Sequence, residues 1–262
     1  MGSDAERDAF GVPRVVNDAF AEQVEAPVAS GEWAVAGRLM RPTLVEADRR
    51  YPLVVFLHGF GERGSDNHRQ LLNGGPEMSD PDLRGRHAAF VYAPQCPDGI
   101  EPATGRDRAW IFRLAPGVAA RVDVAAPPTA QLGAVHAMVE RLCATEPIDR
   151  DRVYVVGLSM GGYAAWELAM RHPETYAAAV PICGGGDTAH AERLTGMAIW
   201  AFHGAEDEVV PPERSREIVD AINAAGGRAI LTEYPGVGHG SWVPAFASRE
   251  MWDWLFAQRR GD

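Results

Sequence analysis

The chain has 262 residues, 46% of them hydrophobic, which fits one sizeable α/β domain with a large core. Its formal net charge of −11 disfavours nucleic acid and other polyanionic partners, because phosphate binding requires a basic surface. All 25 basic residues are arginine, which excludes a lysine base or a lysine Schiff base.

The sequence shows neither a membrane-spanning run nor the pattern of a secretory signal. No apolar run approaches the length of a membrane span, and the N-terminus has neither the basic nor the apolar region of a secretory signal. We expect a soluble, cytoplasmic protein, with a secreted mature form as the open alternative. Three scattered cysteines favour free thiols, although Cys96 and Cys183 both follow predicted strands and one bridge between them stays open.

The N-terminal region is weakly patterned. We expect residues 1–30 to form an N-terminal extension with a short helix near residues 15–24, and residues 31–262 to form a single α/β domain. An early strand is predicted at residues 33–40, before a charged, exposed connection.

Short apolar runs then alternate with helical patterns. The runs that predict strands cover residues 53–57, 89–93, 153–156, 176–183, 197–202 and 228–234. The helical patterns include residues 129–145, 163–170 and 212–225, and one amphipathic helix is predicted to close the chain. The alternation predicts a mostly parallel sheet with helices on both faces, which binds ligands at the carboxyl ends of its strands.

One predicted strand runs into a Gly-x-Ser-x-Gly motif centred on Ser159 and then into a helix. A serine on so sharp a strand-to-helix turn needs small neighbours, which Gly157, Gly161 and Gly162 supply. The five letters alone could arise by chance in a chain with 28 glycines, but their placement between a strand and a helix favours a nucleophile.

A serine hydroxyl needs a neighbouring base, and that base works best when a carboxylate orients it. Asp207 and His239 each follow a later predicted strand, and the chain order Ser159, Asp207, His239 is the order of α/β-hydrolase triads. Asp187 also follows a strand and is the rival acid. We expect His58 and His203 to support turns rather than to act as bases.

Two segments could line the site. The glycine-rich turn from His58 to Gly64 could aim backbone N–H groups at an oxyanion, although alone it fits an ordinary turn. An irregular stretch, predicted as a loop or lid insertion near residues 96–128, carries Trp110 and Phe112. These side chains could line a substrate pocket together with Trp242, or form a small core under the loop.

The motifs together resemble the α/β-hydrolase superfamily, and in particular carboxylesterases close to predicted peptidases and to feruloyl and polyhydroxybutyrate-depolymerase-like esterases. The matching segments are residues 58–64, 93–97, 157–162, 181–187, His203-Gly204 with Asp207, and Gly238-His239. The resemblance spans roughly residues 50–256. It implies Ser159 as nucleophile, His239 as general base, Asp207 as orienting acid, and the N–H groups of Met160 and Phe60 as the oxyanion hole.

We therefore expect a serine carboxylesterase that acts on a small-molecule ester through an acyl-enzyme. No cofactor or metal is expected, since the sequence has neither a His-Glu-x-x-His motif nor paired cysteine ligands. The open alternatives are a feruloyl or acetyl esterase acting on polysaccharide-derived esters, a serine peptidase, and a non-catalytic binding protein of the same fold. The oligomeric state is not predicted.

Overall fold

The computed structural model describes residues 6–101, 105–111 and 122–261, and all structural statements concern these residues. Their strands are β1 Glu22–Pro27, β2 Ala34–Met40, β3 Tyr51–Leu57, β4 Phe90–Pro94, β5 Ile100–Glu101, β6 Arg106–Asp107, β7 Ile148–Leu158, β8 Ala178–Ile182, β9 Ala198–Gly204 and β10 Ile230–Tyr234. Their α-helices are α1 Arg14–Ala19, α2 Gly75–Met78, α3 Pro81–Arg86, α4 Ala130–Thr145, α5 Met160–Arg171, α6 Glu213–Ala224, α7 Trp242–Ala247 and α8 Arg249–Ala257.

Eight strands form one sheet in the order β1-β2-β4-β3-β7-β8-β9-β10. The pairs β1·β2 and β2·β4 are antiparallel. The other five pairs of this sheet, β4·β3, β3·β7, β7·β8, β8·β9 and β9·β10, are parallel. Leu57 at the end of β3 pairs with Gly157, and Leu158 at the end of β7 pairs with Ile182. The predicted fold is therefore confirmed, with the carboxyl ends of the central strands aligned at one edge.

The central strands are apolar because both faces of the sheet are covered. All seven residues of β3 are buried. Leu53, Val55 and Leu57 pack into the core on one face, whereas Val54 and Phe56 pack into the core on the other. This alternation follows from the two-residue period of a strand, and it explains why β3 reads as one continuous hydrophobic run.

Two elements differ from prediction. The helix expected near residues 15–24 is shorter, because Arg14–Ala19 is helical but Glu22–Pro27 pairs with β2 as an edge strand. Backbone pairing with a neighbouring strand outweighs local helix preference here. The single closing helix is instead two, α7 and α8, separated at Ser248, whose backbone is extended and whose hydroxyl caps α8 by accepting from the Met251 N–H.

The other predictions about organisation concern the domain boundary and the insertion near residues 96–128. The division into an extension of residues 1–30 and one domain of residues 31–262 stays a prediction, although β1 belongs to the main sheet. Within the predicted insertion near residues 96–128, β5 and β6 pair antiparallel over two residues each. Among the described helices, none combines the length and the hydrophobicity needed to cross a bilayer.

Candidate active site

The predicted nucleophile lies at the junction between β7 and α5. Ser159 has φ 53° and ψ −115°, a conformation that side-chain-bearing residues rarely adopt. Its backbone N–H donates to Ile182 O over 2.9 Å, which ties the turn to the end of β8. The strained turn presents the Ser159 hydroxyl at the carboxyl edge of the sheet, as the motif predicts.

The glycines around Ser159 are required by close backbone contacts. A methyl group on Gly161 would lie 1.9 Å from Leu57 O, and one on Gly157 would lie 2.1 Å from Gly161 O. A methyl group on Gly162 would lie 2.2 Å from Ile182 O. Because these neighbours are backbone atoms of the packed strands and of α5, no side chain could be accommodated without moving the sheet or the helix.

The three predicted triad residues are hydrogen bonded in a row. Ser159 Oγ lies 2.8 Å from His239 Nε2, and His239 Nδ1 lies 2.7 Å from Asp207 Oδ2. A carboxylate accepts hydrogen bonds, so the His239 proton lies on Nδ1 and leaves Nε2 to accept from the serine hydroxyl. This is the arrangement in which an imidazole can take the proton of an attacking hydroxyl.

Asp207 is held by more than its bond to His239. Its side chain is fully buried, and Oδ1 accepts from the backbone N–H groups of Val209 and Val210, both over 2.9 Å. The Nε2 atom of His203 lies 3.3 Å from Oδ2 and 2.9 Å from Val210 O. Since both partners are acceptors, Nε2 of His203 carries a proton.

The contact between His203 and Asp207 is not predicted from the sequence. His203 is completely buried at the end of β9, and burial lowers its pKa, which favours the neutral ring. Its Nδ1 lies 2.7 Å from the Ser215 hydroxyl on α6. The available signal was its place four residues before Asp207, which brings both side chains to one turn.

Asp187, the rival acid, has other partners. Its Oδ2 lies 2.8 Å from His190 Nδ1 and accepts from the backbone N–H of Val124 over 3.1 Å. Its Oδ1 accepts from the N–H of Ala189, as an N-cap residue does. Asp207, not Asp187, contacts His239.

The two residues predicted to form the oxyanion hole are Met160, which follows Ser159 in the chain, and Phe60, which follows Gly59. Met160 is the first residue of α5, and the first-turn N–H groups of an α-helix have no acceptor within the helix. Phe60 begins a short 3₁₀ turn directly after Gly59. A methyl group on Gly59 would lie 3.7 Å from Ser159 Cβ, so this turn packs against Ser159.

The three predicted pocket residues lie in different surroundings. The ring of Trp242 is partly exposed and stands perpendicular to that of His239, with 5.5 Å between their centroids. Trp110 is completely buried, and its indole N–H donates to His58 O over 3.2 Å, which fits the alternative of a small core. Phe112 lies outside the described residues.

A buried thiol, that of Cys183, lies close to Asp207 and His239. One metal-ligand atom each from Cys183, Asp207 and His239 lie within 4.8 Å of one another. Burial raises the pKa of the Cys183 thiol to about 12, so the thiol is protonated at neutral pH. A metal at this position would have to displace that proton and break the His239–Asp207 hydrogen bond. All three cysteines are free, so the considered bridge between Cys96 and Cys183 is absent.

The sequence is similar to a family model and to a plant protein. Residues 45–250 match the sequence profile of the dienelactone hydrolase family. A protein of Oryza sativa subsp. japonica named probable carboxylesterase is 25% identical over 226 residues, which are 83% of this chain and 83% of that protein.

Solved structures extend the comparison. The chain in the crystal structure of a thermostable esterase is 38% identical in sequence to this chain, and the two superpose with a TM-score of 0.81 over 94% of this chain. This chain spans only 64% of that esterase chain. A puromycin-hydrolysing peptidase of Mycobacterium tuberculosis has a TM-score of 0.67 over 94% of this chain and 41% of its own, at 16% identity, which is a likeness of fold alone.

Proposed function

Because the chain belongs to the dienelactone hydrolase family and is a hydrolase of the carboxylesterase type, we propose that it cleaves esters through an acyl-enzyme on Ser159. The observation that carries the proposal is the unbroken row of hydrogen bonds from Ser159 through His239 to Asp207, with contacts of 2.8 and 2.7 Å. A hydroxyl in such a row can lose its proton as it attacks a carbonyl carbon.

In the first half-reaction, Ser159 Oγ attacks the ester carbonyl while its proton passes to His239 Nε2. The Asp207 carboxylate stabilises the imidazolium that forms. The negative carbonyl oxygen of the tetrahedral intermediate accepts from the N–H groups of Met160 and Phe60. When the intermediate collapses, the ester C–O bond breaks and the departing alcohol takes the proton from His239.

In the second half-reaction, a water molecule replaces the alcohol. His239 accepts a proton from the water as its oxygen attacks the acyl carbon, and the same N–H groups stabilise the second oxyanion. Collapse then breaks the bond to Ser159 Oγ, which recovers its proton, and releases the carboxylic acid. Each group returns to its starting state, so no cofactor or further reactant is consumed.

The surroundings of the triad favour an apolar substrate. Val209 follows Asp207 by two residues and has 70% of its surface exposed, and Val243 follows His239 by four residues and is 63% exposed. The Trp242 ring beside His239 supplies apolar surface next to the reacting groups, and the two exposed valines are close in sequence to Asp207 and His239. A panel of nitrophenyl esters graded by acyl length, with a feruloyl ester included, separates a short-chain esterase from a feruloyl esterase.

The test of the proposed function is Ser159→Ala, with Ser30→Ala as the matched control. Ser30 is exposed in the turn between β1 and β2, so its substitution is expected to leave turnover unchanged. Ser159→Ala removes the nucleophile and is expected to abolish hydrolysis of nitrophenyl acetate while the circular dichroism spectrum is retained. Turnover by Ser159→Ala at the wild-type rate would refute the proposal.

A further inference from the structure

A second histidine lies beside the proposed oxyanion hole and has no part in the proposed reaction. His58 directly follows β3 and precedes Gly59 and Phe60, and none of its surface is exposed. Its Nε2 lies 2.9 Å from the backbone nitrogen of Cys96, and its Nδ1 lies 2.6 Å from the carbonyl oxygen of Gly59. Both ring nitrogens are therefore engaged by backbone groups.

These backbone partners determine where the His58 proton lies. A backbone N–H can only donate, so Nε2 accepts from Cys96 and carries no proton. A backbone carbonyl can only accept, so Nδ1 carries the proton and donates it to Gly59 O. Burial lowers the pKa of His58 to about 4, which keeps the ring neutral and this tautomer in place at neutral pH.

The bond to Gly59 O also orients the Phe60 N–H. The carbonyl of Gly59 and the N–H of Phe60 belong to one planar trans peptide unit, in which the two groups point in opposite directions. Holding the carbonyl against His58 therefore turns the N–H away from His58. Glycine resists rotation of an adjacent peptide less than other residues do, so without such a bond this peptide could turn its carbonyl toward the nucleophile.

We infer that His58 is a positioning residue of the oxyanion hole, which locks the Gly59–Phe60 peptide so that the Phe60 N–H faces the developing oxyanion. The inference rests on the proposed function, because it requires Phe60 to be an oxyanion donor. Trp110 holds His58 in place. Its indole N–H donates to the backbone carbonyl of His58, and its ring packs edge-on against the imidazole with 5.2 Å between centroids. This contact gives buried Trp110 a role behind the site.

Two substitutions separate the bonds made by the ring. In His58→Asn the short side chain can place an amide N–H near the position of Nδ1, which keeps a donor for Gly59 O. In His58→Gln the longer side chain can place an amide oxygen near the position of Nε2, which keeps an acceptor for the Cys96 N–H but leaves Gly59 O without its donor. Both variants lose the aromatic ring, so each serves as the control for the other.

We expect His58→Gln to lose on the order of a hundredfold in kcat for nitrophenyl acetate with little change in KM, because only the transition state uses the oxyanion donor. His58→Asn should retain most of kcat. Equal losses in the two variants, or losses confined to KM, would overturn the inference. If Ser159→Ala were active, the proposed function itself would fail, so the two failures are distinguishable.

A measurement on the unaltered protein covers the case in which neither variant folds. Nitrogen-15 NMR of the histidine rings reports the tautomer of each, and the His58 ring is assigned through its hydrogen bond to the Cys96 amide. We expect a neutral ring protonated on Nδ1 at pH 7. A ring protonated on Nε2, or on both nitrogens, would contradict the inference whatever the variants do.

Discussion

His203 and His239 share one oxygen of the same carboxylate. His239 Nδ1 lies 2.7 Å from Asp207 Oδ2, and His203 Nε2 lies 3.3 Å from that oxygen on the buried side. The other oxygen, Oδ1, is taken by two backbone N–H groups. Both oxygens of the carboxylate are therefore engaged, and the turn after β9 orients Oδ2 toward His239.

The two candidate acids give opposite expectations. Asp207→Asn places an amide against His239 Nδ1, and an amide N–H there would force the imidazole into the tautomer that cannot accept from Ser159. We expect kcat for nitrophenyl acetate to fall by a factor on the order of 10⁴. Asp187→Asn changes a residue that pairs with His190 instead, and kcat should stay close to the wild-type value. The reverse ranking would assign the acid to Asp187.

The contact between His203 and Asp207 predicts a loss of activity beyond any loss of stability. His203→Phe fills the buried volume but removes the polar Nε2–H group that lies 3.3 Å from Asp207 Oδ2, so we expect kcat to fall roughly tenfold, the amount that a loss of about 1.4 kcal/mol gives. Ser215→Ala is the control, because it removes the partner of the other ring nitrogen, Nδ1. It should lower the thermal midpoint and leave kcat close to the wild-type value. Equal effects on kcat would make His203 a packing residue only.

Two glycine-to-alanine substitutions, expected to change the free energy of unfolding in opposite directions, test the packing of the turn at Ser159. Gly161→Ala sets a methyl group 1.9 Å from Leu57 O, so we expect severe destabilisation or failure to fold. Gly133→Ala lies inside α4, where a methyl group meets nothing within 4 Å. It should raise the free energy of unfolding by about 0.5–1 kcal/mol through helix propensity. Urea denaturation measures both, and tolerance of Gly161→Ala would refute the close approach.

A stacked pair of histidines outside the row of Ser159, His239 and Asp207 predicts how stability varies with pH. His172 lies against His136 with 3.4 Å between ring centroids. Burial lowers the pKa of His172 to about 4, and the neighbouring His136 adds to the effect. A group with a depressed basic pKa binds fewer protons folded than unfolded, so its contribution to stability is present above pH 6.5 and is lost as pH falls toward 4.

The substitution His172→Gln removes that titration. Across pH 6.5 to 4 we expect the free energy of unfolding of the variant to fall less steeply than that of the wild type, by a slope equivalent to nearly one bound proton. Denaturant melts at half-unit pH steps give both slopes. Parallel curves would mean that His172 titrates alike in the folded and unfolded chain. Asp8, with a pKa lowered to about 2, contributes stability that is lost mainly below pH 4, as the pH falls toward 2.

Much of the fold and the triad contacts could be anticipated because they depend on local signals. Buried parallel strands read as continuous apolar runs, and Ser159, Asp207 and His239 each follow such a run, so one sheet edge brings them together. The edge strand β1 was missed because strand pairing depends on neighbours distant in sequence. The break at Ser248 did have a local signal, since serine is a common N-cap residue and its hydroxyl accepts from the Met251 N–H three residues on.

The roles of the two buried histidines could be anticipated only in part. Both precede a glycine at a strand end, and support of turns was the expectation. Which atoms they hold depends on the register of β4 and on the turn after β9, which bring Cys96 to His58 and Asp207 to His203. No sequence period encodes these contacts, so they emerge only from the folded chain.

The most direct measurement of the central claim is covalent labelling by a fluorophosphonate, which reacts with a serine only when a base activates it. We predict stoichiometric labelling of the wild type, with peptide mass spectrometry assigning the adduct to Ser159, and loss of labelling in folded His239→Ala. Equal labelling of His239→Ala, an adduct on a different residue, or a wild type that is inert to the probe would contradict the account.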